Sequence, residues 1–492
     1  MSGCLLNDDI WYHILRYLSS EDLQRANSCH HVLFEGWMRS RYTSVKFTSR
    51  DKAIRLLEHL CNPYVAAYVK KVEIRPWLVQ SPNPNESSNA RLSHILQPYH
   101  TRKRAKERLH RRVNEDVNAA FKQMENVEEY NIDWDNSFRY HPELYAACLI
   151  SGLDAWSEGL VKLTVKVPPA MLNSFARINL PKLESFHFQF STGSLTFKEI
   201  NVTHDGFIVF LNNLKDSLQS LAFSSTHSSQ DLDLSRIFRK MGSFPSLSKV
   251  ALSIPADGSH LSDPATFVRF LEKHRPTLEE INLLSSQIPC PDKPDNYGAI
   301  IDWRNRISGS VLSTARGFDS SLQRLPSPFD VLGRFMNQHH LTLKKMNLFS
   351  TRTTSLNKAC DNNYTNWIQR VAGSICAPFP LLRAIAISLC PPGAPLENLV
   401  RFIGMHSSTL YFVALSDCTL SHNDVVSLFQ FSATETGPPV RIANLQLPVE
   451  DLSSDLLVDL AFLLPNLKTL QIDCNKVSNS DSTSQSDVVG VS

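Results

Sequence analysis

A short apolar pattern recurs along the chain, with hydrophobic residues at its first, fourth and sixth positions. A polar or small residue separates the fourth and sixth positions, which is the alternation of a short strand with one buried face. The twelve copies are Val69/Val72/Ile74, Val127/Tyr130/Ile132, Leu160/Leu163/Val165, Leu183/Phe186/Phe188, Leu218/Leu221/Phe223, Leu247/Val250/Leu252, Leu278/Ile281/Leu283, Leu343/Met346/Leu348, Leu382/Ile385/Ile387, Leu410/Val413/Leu415, Ile442/Leu445/Leu447 and Leu467/Leu470/Ile472. The pattern therefore predicts a series of short strands, each about three to five residues long.

Segments with helical spacing precede many of these strands. Apolar residues recur at intervals of three and four over 267–271 and 456–463, for example. A proline such as Pro245 or Pro465 then stands two or three residues before the first apolar residue of the next strand, where it ends the helix and favours an extended start. A helix followed by a strand is thus the predicted repeating unit.

A unit of this size cannot bury its own apolar face, so the units are expected to stack around a shared core. The predicted fold class is α/β, with parallel strands on one face and helices on the other. The pattern resembles the leucine-rich-repeat family in its irregular form, because the position of that family's signature Asn or Cys is filled variably here. The resemblance implies a solenoid that binds a partner protein. A run of unrelated β-α units in an ordinary parallel sheet is the alternative.

The first 43 residues follow a different pattern. Asn7 is expected to cap a first amphipathic helix, with acidic residues in the first turn. Ser19 and Asp22 have the spacing of a capping box and predict a second helix, and the apolar group 32–37 closes the segment. A helical unit this small is near the lower limit for independent stability, so it needs to dock on a partner or on the repeats.

This segment resembles the F-box. The resemblance is carried by Leu6-Asn-Asp-Asp-Ile10, Ile14-Leu15, Leu18-Ser-Ser-Glu-Asp-Leu23 and Cys29-His30-His31, with Asn7 and His30 where the family has Pro and Arg. An F-box binds the Skp-type adaptor of cullin-RING ubiquitin ligases, and the domain that follows it selects the target. The resemblance implies an adaptor-binding face formed by Leu6, Ile10, Ile14, Leu15, Leu18 and Leu23.

Two functions remain open on this basis. The resemblance implies a non-enzymatic substrate-recognition subunit of an SCF-type ubiquitin ligase, which binds the Skp-type adaptor and cullin scaffold through residues 1–43 and an unknown target protein through the repeats. The alternative is an adaptor-independent leucine-rich-repeat scaffold whose N-terminal helices only cap the solenoid. Solvent access to Ile14, Leu15 and Leu18 distinguishes the two, because a cap would bury them on the first repeat.

Composition narrows the range of partners. The net charge of +2, from 50 Lys and Arg against 48 Asp and Glu, gives no overall field that would attract nucleic acid. The first residues do not form a basic start followed by an apolar stretch, and no stretch reaches the roughly 18 apolar residues that a membrane span requires. We therefore expect a cytoplasmic or nuclear protein that binds neither nucleic acid nor membrane.

No catalytic or metal-binding motif is evident in the sequence. The 10 cysteines form no CxxC pair, and GxSxG, P-loop and dinucleotide-binding signatures are absent. His30-His31 and His339-His340 are adjacent pairs, whose side chains are expected to point to opposite sides rather than converge on a metal. The sequence predicts no catalytic residue, metal or cofactor; an enzyme would require convergent polar groups in a pocket.

The predicted domains are an F-box-like segment at 1–43, a repeat region at 44–474 and a disordered tail at 475–492. Proline-rich stretches and lapses of the apolar pattern predict insertions in the repeat region near 77–112 and 288–341. Insertions between repeats map to loops on one face, often the binding face, so the second is expected to touch the target; the alternative is a disordered excursion from the repeats.

Overall fold

A computed structural model describes residues 7–47, 50–74, 99–133, 142–167, 169–190, 197–225, 232–255, 260–261, 263–286, 328–338, 341–350, 367–389, 396–416, 419–433 and 440–478. The chain divides into two compact units, Met1–Ser220 and Leu221–Ser492, each of which is described in turn. Among the described residues, no helix is both long enough and apolar enough to cross a lipid bilayer.

The first unit opens with three helices and continues as alternating strands and helices. Its elements are α1 (Asp8–Leu15), α2 (Ser20–Ala26), α3 (His31–Tyr42), β1 (Ser44–Phe47), α4 (Arg50–Leu60), α5 (Pro63–Ala66), β2 (Lys71–Ile74), α6 (Tyr99–Gln123), β3 (Glu129–Ile132), α7 (Pro142–Ala155), β4 (Lys162–Val167), a 3-10 segment (Pro169–Arg177), β5 (Ser185–Phe190) and α8 (Phe197–Asn213). The Ser19 hydroxyl accepts a hydrogen bond from Asp22 N, as the capping-box spacing predicts.

The second unit repeats the helix-then-strand order. Its elements are β6 (Ser220–Ser225, which starts at the last residue of the first unit), α9 (Ser235–Lys240), β7 (Lys249–Pro255), α10 (Pro264–Lys273), β8 (Glu280–Ser286), α11 (Pro328–Gln338), β9 (Lys345–Ser350), α12 (Trp367–Ser374), β10 (Ala384–Ser388), α13 (Glu397–His406), β11 (Phe412–Ser416), α14 (His422–Phe429), a 3-10 turn (Gln430–Ala433), β12 (Asn444–Ser453), α15 (Ser454–Leu463) and β13 (Thr469–Ser478). A complete capping box at Ser421 and Asp424 starts α14.

The described strands form one sheet of 13, in the order in which they occur along the chain. Neighbouring strands pair parallel wherever their register is described, for example β2 with β3 and β8 with β9. The prediction of an α/β chain with parallel strands and intervening helices is confirmed, and the arrangement is consistent with a solenoid-like fold. Parallel neighbours need a crossover connection, and the intervening helices supply it.

The apolar pattern marks the buried side of this sheet. Each of the twelve predicted copies coincides with one of the strands β2 to β13. Their apolar residues are buried except Leu283, which is half-buried, and the three residues of the last copy, Leu467, Leu470 and Ile472, which are also half-buried. The strand period predicted from sequence is therefore correct, and the core is thinnest at the edge strand β13.

The first strand of the sheet, β1, is not among the twelve predicted copies of the pattern. Strand β1 follows α3 directly, and Tyr42, Val45 and Phe47 occupy the three apolar positions, all of them buried. The first apolar position of this copy is Tyr42, which lies in the last turn of α3, so the strand pattern is not apparent from the sequence. Strand β1 pairs parallel with β2, so the sheet begins at Ser44.

The predicted start of the tail needs correction, whereas the two predicted insertions are described only in part. Residues 99–112 of the first predicted insertion belong to α6, whose later residues Val117 and Phe121 are fully buried. Within the second predicted insertion, residues 328–338 form α11; residues 287–327 lie outside the described part, as do 75–98. Strand β13 continues to Ser478, beyond the predicted start of the tail, because its pairing with β12 extends to Ser453 opposite Ser478.

Aromatic side chains fill the core of the first unit. Phe175, Phe186, Phe188, Phe190, Phe207 and Phe210 form one cluster between β5, the 3-10 segment and α8, and all are buried. A second cluster joins Trp156 to Phe121 and Tyr130, each with ring centroids 4.8 Å apart. The Tyr130 hydroxyl donates to the Cys148 carbonyl at 2.9 Å, which satisfies a polar group that the burial would otherwise leave without a partner.

Two buried histidines occupy equivalent places in the second unit. His274 follows α10 and His406 ends α13, and Nδ1 of each lies 2.7 Å from the carbonyl four residues earlier, so Nδ1 donates. His274 Nε2 accepts from Phe244 N at 3.0 Å, which fixes that ring in the neutral tautomer. Burial lowers the pKa of both imidazoles below the ordinary value of 6.5.

Acidification is therefore expected to destabilise the second unit. Well above pH 6.5 both histidines are neutral whether the chain is folded or unfolded. As the pH falls through 6.5 toward the lowered pKa values, the unfolded chain takes up protons first, so the free energy of unfolding decreases. Urea unfolding at pH 7.5 and 5.5 measures this loss, and it should be smaller for His406→Gln than for the wild type. An equal loss in both proteins would contradict this assignment.

Candidate protein-binding surfaces

The inner side of α1 packs on α3. A methyl group added at Gly36 of α3 would stand 2.1 Å from Leu15 Cδ1, so the glycine makes room for that leucine. Trp11, one turn earlier, stacks on the His30 ring with centroids 4.8 Å apart and an interplanar angle of 18°. Trp11 and Leu15 therefore hold α1 on the helical segment, and Leu15 has a packing role as well as its predicted place in the adaptor-binding face.

The predicted adaptor-binding residues do not share one environment. Ile10 is 45% exposed, whereas Ile14, Leu15 and Leu18 are half-buried and Leu23 is 5% exposed. Leu23 belongs to the small core between α2 and α3, so it supports the segment. Leu6 lies outside the described residues.

Sequence reasoning missed an exposed aromatic residue beside this face. Tyr17, which follows α1, is 78% exposed, the largest value among the exposed large hydrophobic residues of the described chain. Together, Ile10, Ile14, Tyr17 and Leu18 form the α1 apolar surface. Ile10 and Ile14 are four residues apart and so lie on one side of the helix. The sequence does indicate Tyr17 as a candidate, because it is a further large apolar residue directly before Leu18.

Helix α3 has a different role. Val32, Leu33 and Met38 are at most 3% exposed, and α3 contacts both β1 and α5. These contacts place α3 next to the first strand of the sheet. Helix α1 packs on α3 and keeps part of its apolar surface accessible.

Charged residues line the side of the sheet opposite the buried triplets, called here the open face. In the first unit, the Glu129 carboxylate on β3 forms two ion pairs. Its oxygens lie 2.9 Å from Lys71 Nζ of β2 and 2.7 Å from Lys162 Nζ of β4. The hydrogen bonds from Lys162 and Lys71 lower the pKa of the Glu129 carboxyl. These exposed pairs contribute little stability each, but they satisfy the charges at the start of the strands.

The second unit repeats this Lys-Glu-Lys arrangement. Glu280 on β8 lies 3.2 Å from Lys249 of β7 and 3.4 Å from Lys345 of β9. Burial raises the pKa of the Glu280 carboxyl, but hydrogen bonds from Asn282 and Lys249 outweigh it, so the net direction is down. The carboxylate is thus ionised at neutral pH and already paired, which makes it a poor general acid or base.

An apolar pair lies beside these charges on the open face. Leu284 of β8 is directly opposite Phe349 of β9, and both side chains are half-buried. Asn282 and Asn347 pair two residues earlier in the register, and the Asn347 side chain donates to the Asn282 side chain. An apolar centre with a polar rim is the composition of a protein-binding surface.

Asp8, His30 and His31 form a separate cluster at the start of α1 and α3. His30 Nε2 lies 3.7 Å from Asp8 Oδ1, and His31 Nε2 lies 3.5 Å from Asp8 Oδ2. The two imidazole rings are 4.4 Å apart, so the expectation that adjacent histidines point to opposite sides is wrong for this pair. The reason is the backbone: His30 is extended as the N-cap of α3, whereas His31 is already helical.

Comparison with known proteins assigns no function to these surfaces, so their function is inferred from their residues. No protein-family model matches the chain, and no curated protein matches it.

Proposed function

We propose that this protein is the substrate-recognition subunit of an SCF-type ubiquitin ligase. Its N-terminal segment acts as an F-box that binds a Skp-type adaptor, and through it the cullin scaffold. The repeats act as an irregular leucine-rich-repeat domain that holds a target protein near the ubiquitin-transfer site. The protein performs no chemistry itself, and its contribution is the effective concentration of the target.

The observation that carries the proposal is the accessible α1 apolar surface. Ile10 and Tyr17 expose 45% and 78% of their area, although α1 packs on α3. If the segment served only as a cap, α1 would be expected to turn these residues toward the repeats. Exposed apolar residues in helical spacing suit insertion of a short helix into an apolar groove, which is how one class of protein partners is recognised.

The open face of the second unit supports the second half of the proposal. Leu284 and Phe349 offer an apolar centre, and the surrounding Asn and Lys-Glu groups offer hydrogen bonds and charge. A half-buried apolar pair of this kind on an otherwise polar face favours recognition of a folded or extended protein target. The predicted insertion begins just after β8, next to this pair in the chain.

An adaptor-independent scaffold remains the second candidate, because α3 does form cap-like contacts. Val32 and Leu33 are buried at the start of α3, and Met38 is buried in its second half. In that case the repeats and their open face would keep their binding role, and the α1 apolar surface would have no Skp-type partner.

Purified Skp-type adaptor mixed with the full chain separates these two functions. We expect the adaptor to be retained by the immobilised full chain, and cullin to be retained only when the adaptor is present. Retention of neither would leave the scaffold as the better account. Point variants are preferable to deletion of residues 1–43, because deletion would also remove α3 and uncover β1.

A further inference from the structure

We propose that Asp8, His30 and His31 form a binding site for a transition-metal ion of the Zn²⁺ class. The site ties the first turn of α1 to the first turn of α3. The inference is independent of the proposed function, because it concerns three side chains that lie between the helices and requires no adaptor.

The donor atoms are already close to the required geometry. Zn²⁺ binds imidazole nitrogen and carboxylate oxygen at about 2.0–2.2 Å, so two donors in a tetrahedral site are about 3.3–3.5 Å apart. The Asp8 oxygens lie 3.5 Å and 3.7 Å from the two imidazole nitrogens, and donor atoms of all three residues lie within 4.8 Å of one another. Shifts of a few tenths of an ångström by the Asp8 side chain, which is 53% exposed, would bring it into range of an ion between the rings.

The donor set selects the class of ion. Two imidazoles and one carboxylate suit Zn²⁺, Cu²⁺ and Ni²⁺, whereas Mg²⁺ and Ca²⁺ prefer oxygen ligands alone. The His31 side chain is 62% exposed, so water can complete the coordination. The positive N-terminal ends of α1 and α3 oppose a cation, and the Asp8 carboxylate offsets them.

The surroundings hold one ligand in place. Trp11 stacks on the His30 ring, and only 17% of the His30 side chain is exposed. His30 Nδ1 accepts a hydrogen bond from Val32 N at 3.3 Å, so the neutral ring carries its proton on Nε2. Binding of the ion at Nε2 moves that proton to Nδ1 and breaks this long hydrogen bond. We therefore expect affinity in the micromolar range rather than that of a closed structural zinc site.

Zn²⁺ titration of the full chain against a chromophoric chelator tests the site. The variants are Asp8→Asn and His31→Ala, chosen because both side chains are more than half exposed and neither provides the N-cap of α3. The matched control is His13→Ala, an exposed histidine on the same helix. Zn²⁺ bound by cysteine thiols is common to all four proteins and cancels in the comparison.

We expect the wild type and His13→Ala to bind one more Zn²⁺ than the two site variants, or to bind it more than about 10-fold more tightly. Loss of even a hydrogen-bonding partner of a metal ligand typically weakens binding by about 10–100-fold. Equal binding by all four proteins, or no binding by the wild type beyond that of His31→Ala, would overturn the proposal and leave a simple contact between a carboxylate and two imidazoles.

Hydrogen exchange supplies a second readout. If the α1 amides exchange only when α1 separates from α3, Zn²⁺ at about 100 times its dissociation constant lowers the population of that separated state by about 100-fold. Amides of Asp8–Leu15 should therefore exchange more slowly when Zn²⁺ is added to the wild type, and should not respond in Asp8→Asn. The same rate with and without Zn²⁺ in the wild type would contradict a clamp between these helices.

Discussion

Replacement of Ile10 and Tyr17 with Asp is expected to weaken binding of a Skp-type adaptor by more than about 100-fold, or about 2.7 kcal/mol. Both residues belong to the α1 apolar surface and are well exposed. An ionised carboxylate placed in an apolar groove without a partner costs several kcal/mol, whereas the same carboxylate in water costs little. Isothermal titration of the purified full chain with the adaptor measures the loss.

A matched control separates the surface from the added charge. Tyr12→Asp with Gln24→Asp also adds two carboxylates to exposed positions of α1 and α2, outside the α1 apolar surface. We expect this control to bind the adaptor like the wild type, and both variants to keep the wild-type melting temperature. Similar affinities for the two double variants would show that the α1 apolar surface is not the contact.

Replacement of Phe188 with Ala should lower the free energy of unfolding of the first unit by about 3–5 kcal/mol. Phe188 is fully buried on β5, and its ring centroid lies 4.5 Å from that of Phe207 and 4.6 Å from that of Phe190. The truncation removes apolar area from the core and leaves a cavity among rigid aromatic rings that cannot collapse to fill it. Urea unfolding followed by circular dichroism measures the change.

Phe462→Ala provides the comparison for that variant. Phe462 lies on α15 and is 75% exposed, so the same substitution removes little buried area. We expect it to change the free energy of unfolding by less than about 0.5 kcal/mol. If Phe188→Ala proved equally mild, the aromatic cluster would not be the main core of the first unit.

The strands could be predicted because their two-residue apolar period stays the same although the intervening helices differ in length. The fourth and sixth positions of every predicted triplet lie on a strand, since they must face the core whatever the length of the unit, and the first position lies two residues before the strand. Strand β1 was missed because its first apolar residue, Tyr42, is also the last residue of α3. Because Tyr42 belongs to the helix and also to the strand triplet, neither the helical nor the strand pattern is clear at this point.

The candidate surface was harder to predict, because an apolar residue on a helix looks the same whether it faces a core or a partner. Ile10 and Leu15 are both apolar residues of the first predicted helix, and the sequence pattern does not distinguish them. Only the packing of Leu15 against Gly36 separates them, and that contact joins two helices about 20 residues apart in the chain. The exposure of Tyr17 likewise depends on where the chain turns after α1.

The histidine pair shows a similar limit. Alternation of side chains in a regular element predicts that His30 and His31 diverge. They converge because a helix begins between them, and the change from extended to helical backbone rotates one ring toward the other. Sequence motifs for metal sites assume one regular element, so they do not cover a pair that straddles a helix start.

Hydrogen exchange of the full chain, with and without saturating Skp-type adaptor, tests the central claim that α1 binds the adaptor while α3 caps the repeats. We predict slower exchange over Asp8–Leu15, which carries Ile10 and Ile14 of the α1 apolar surface, and little change over the second half of α3, where Met38 and Tyr42 are buried. Unchanged exchange over Asp8–Leu15 at an adaptor concentration that saturates any complex would contradict the claim.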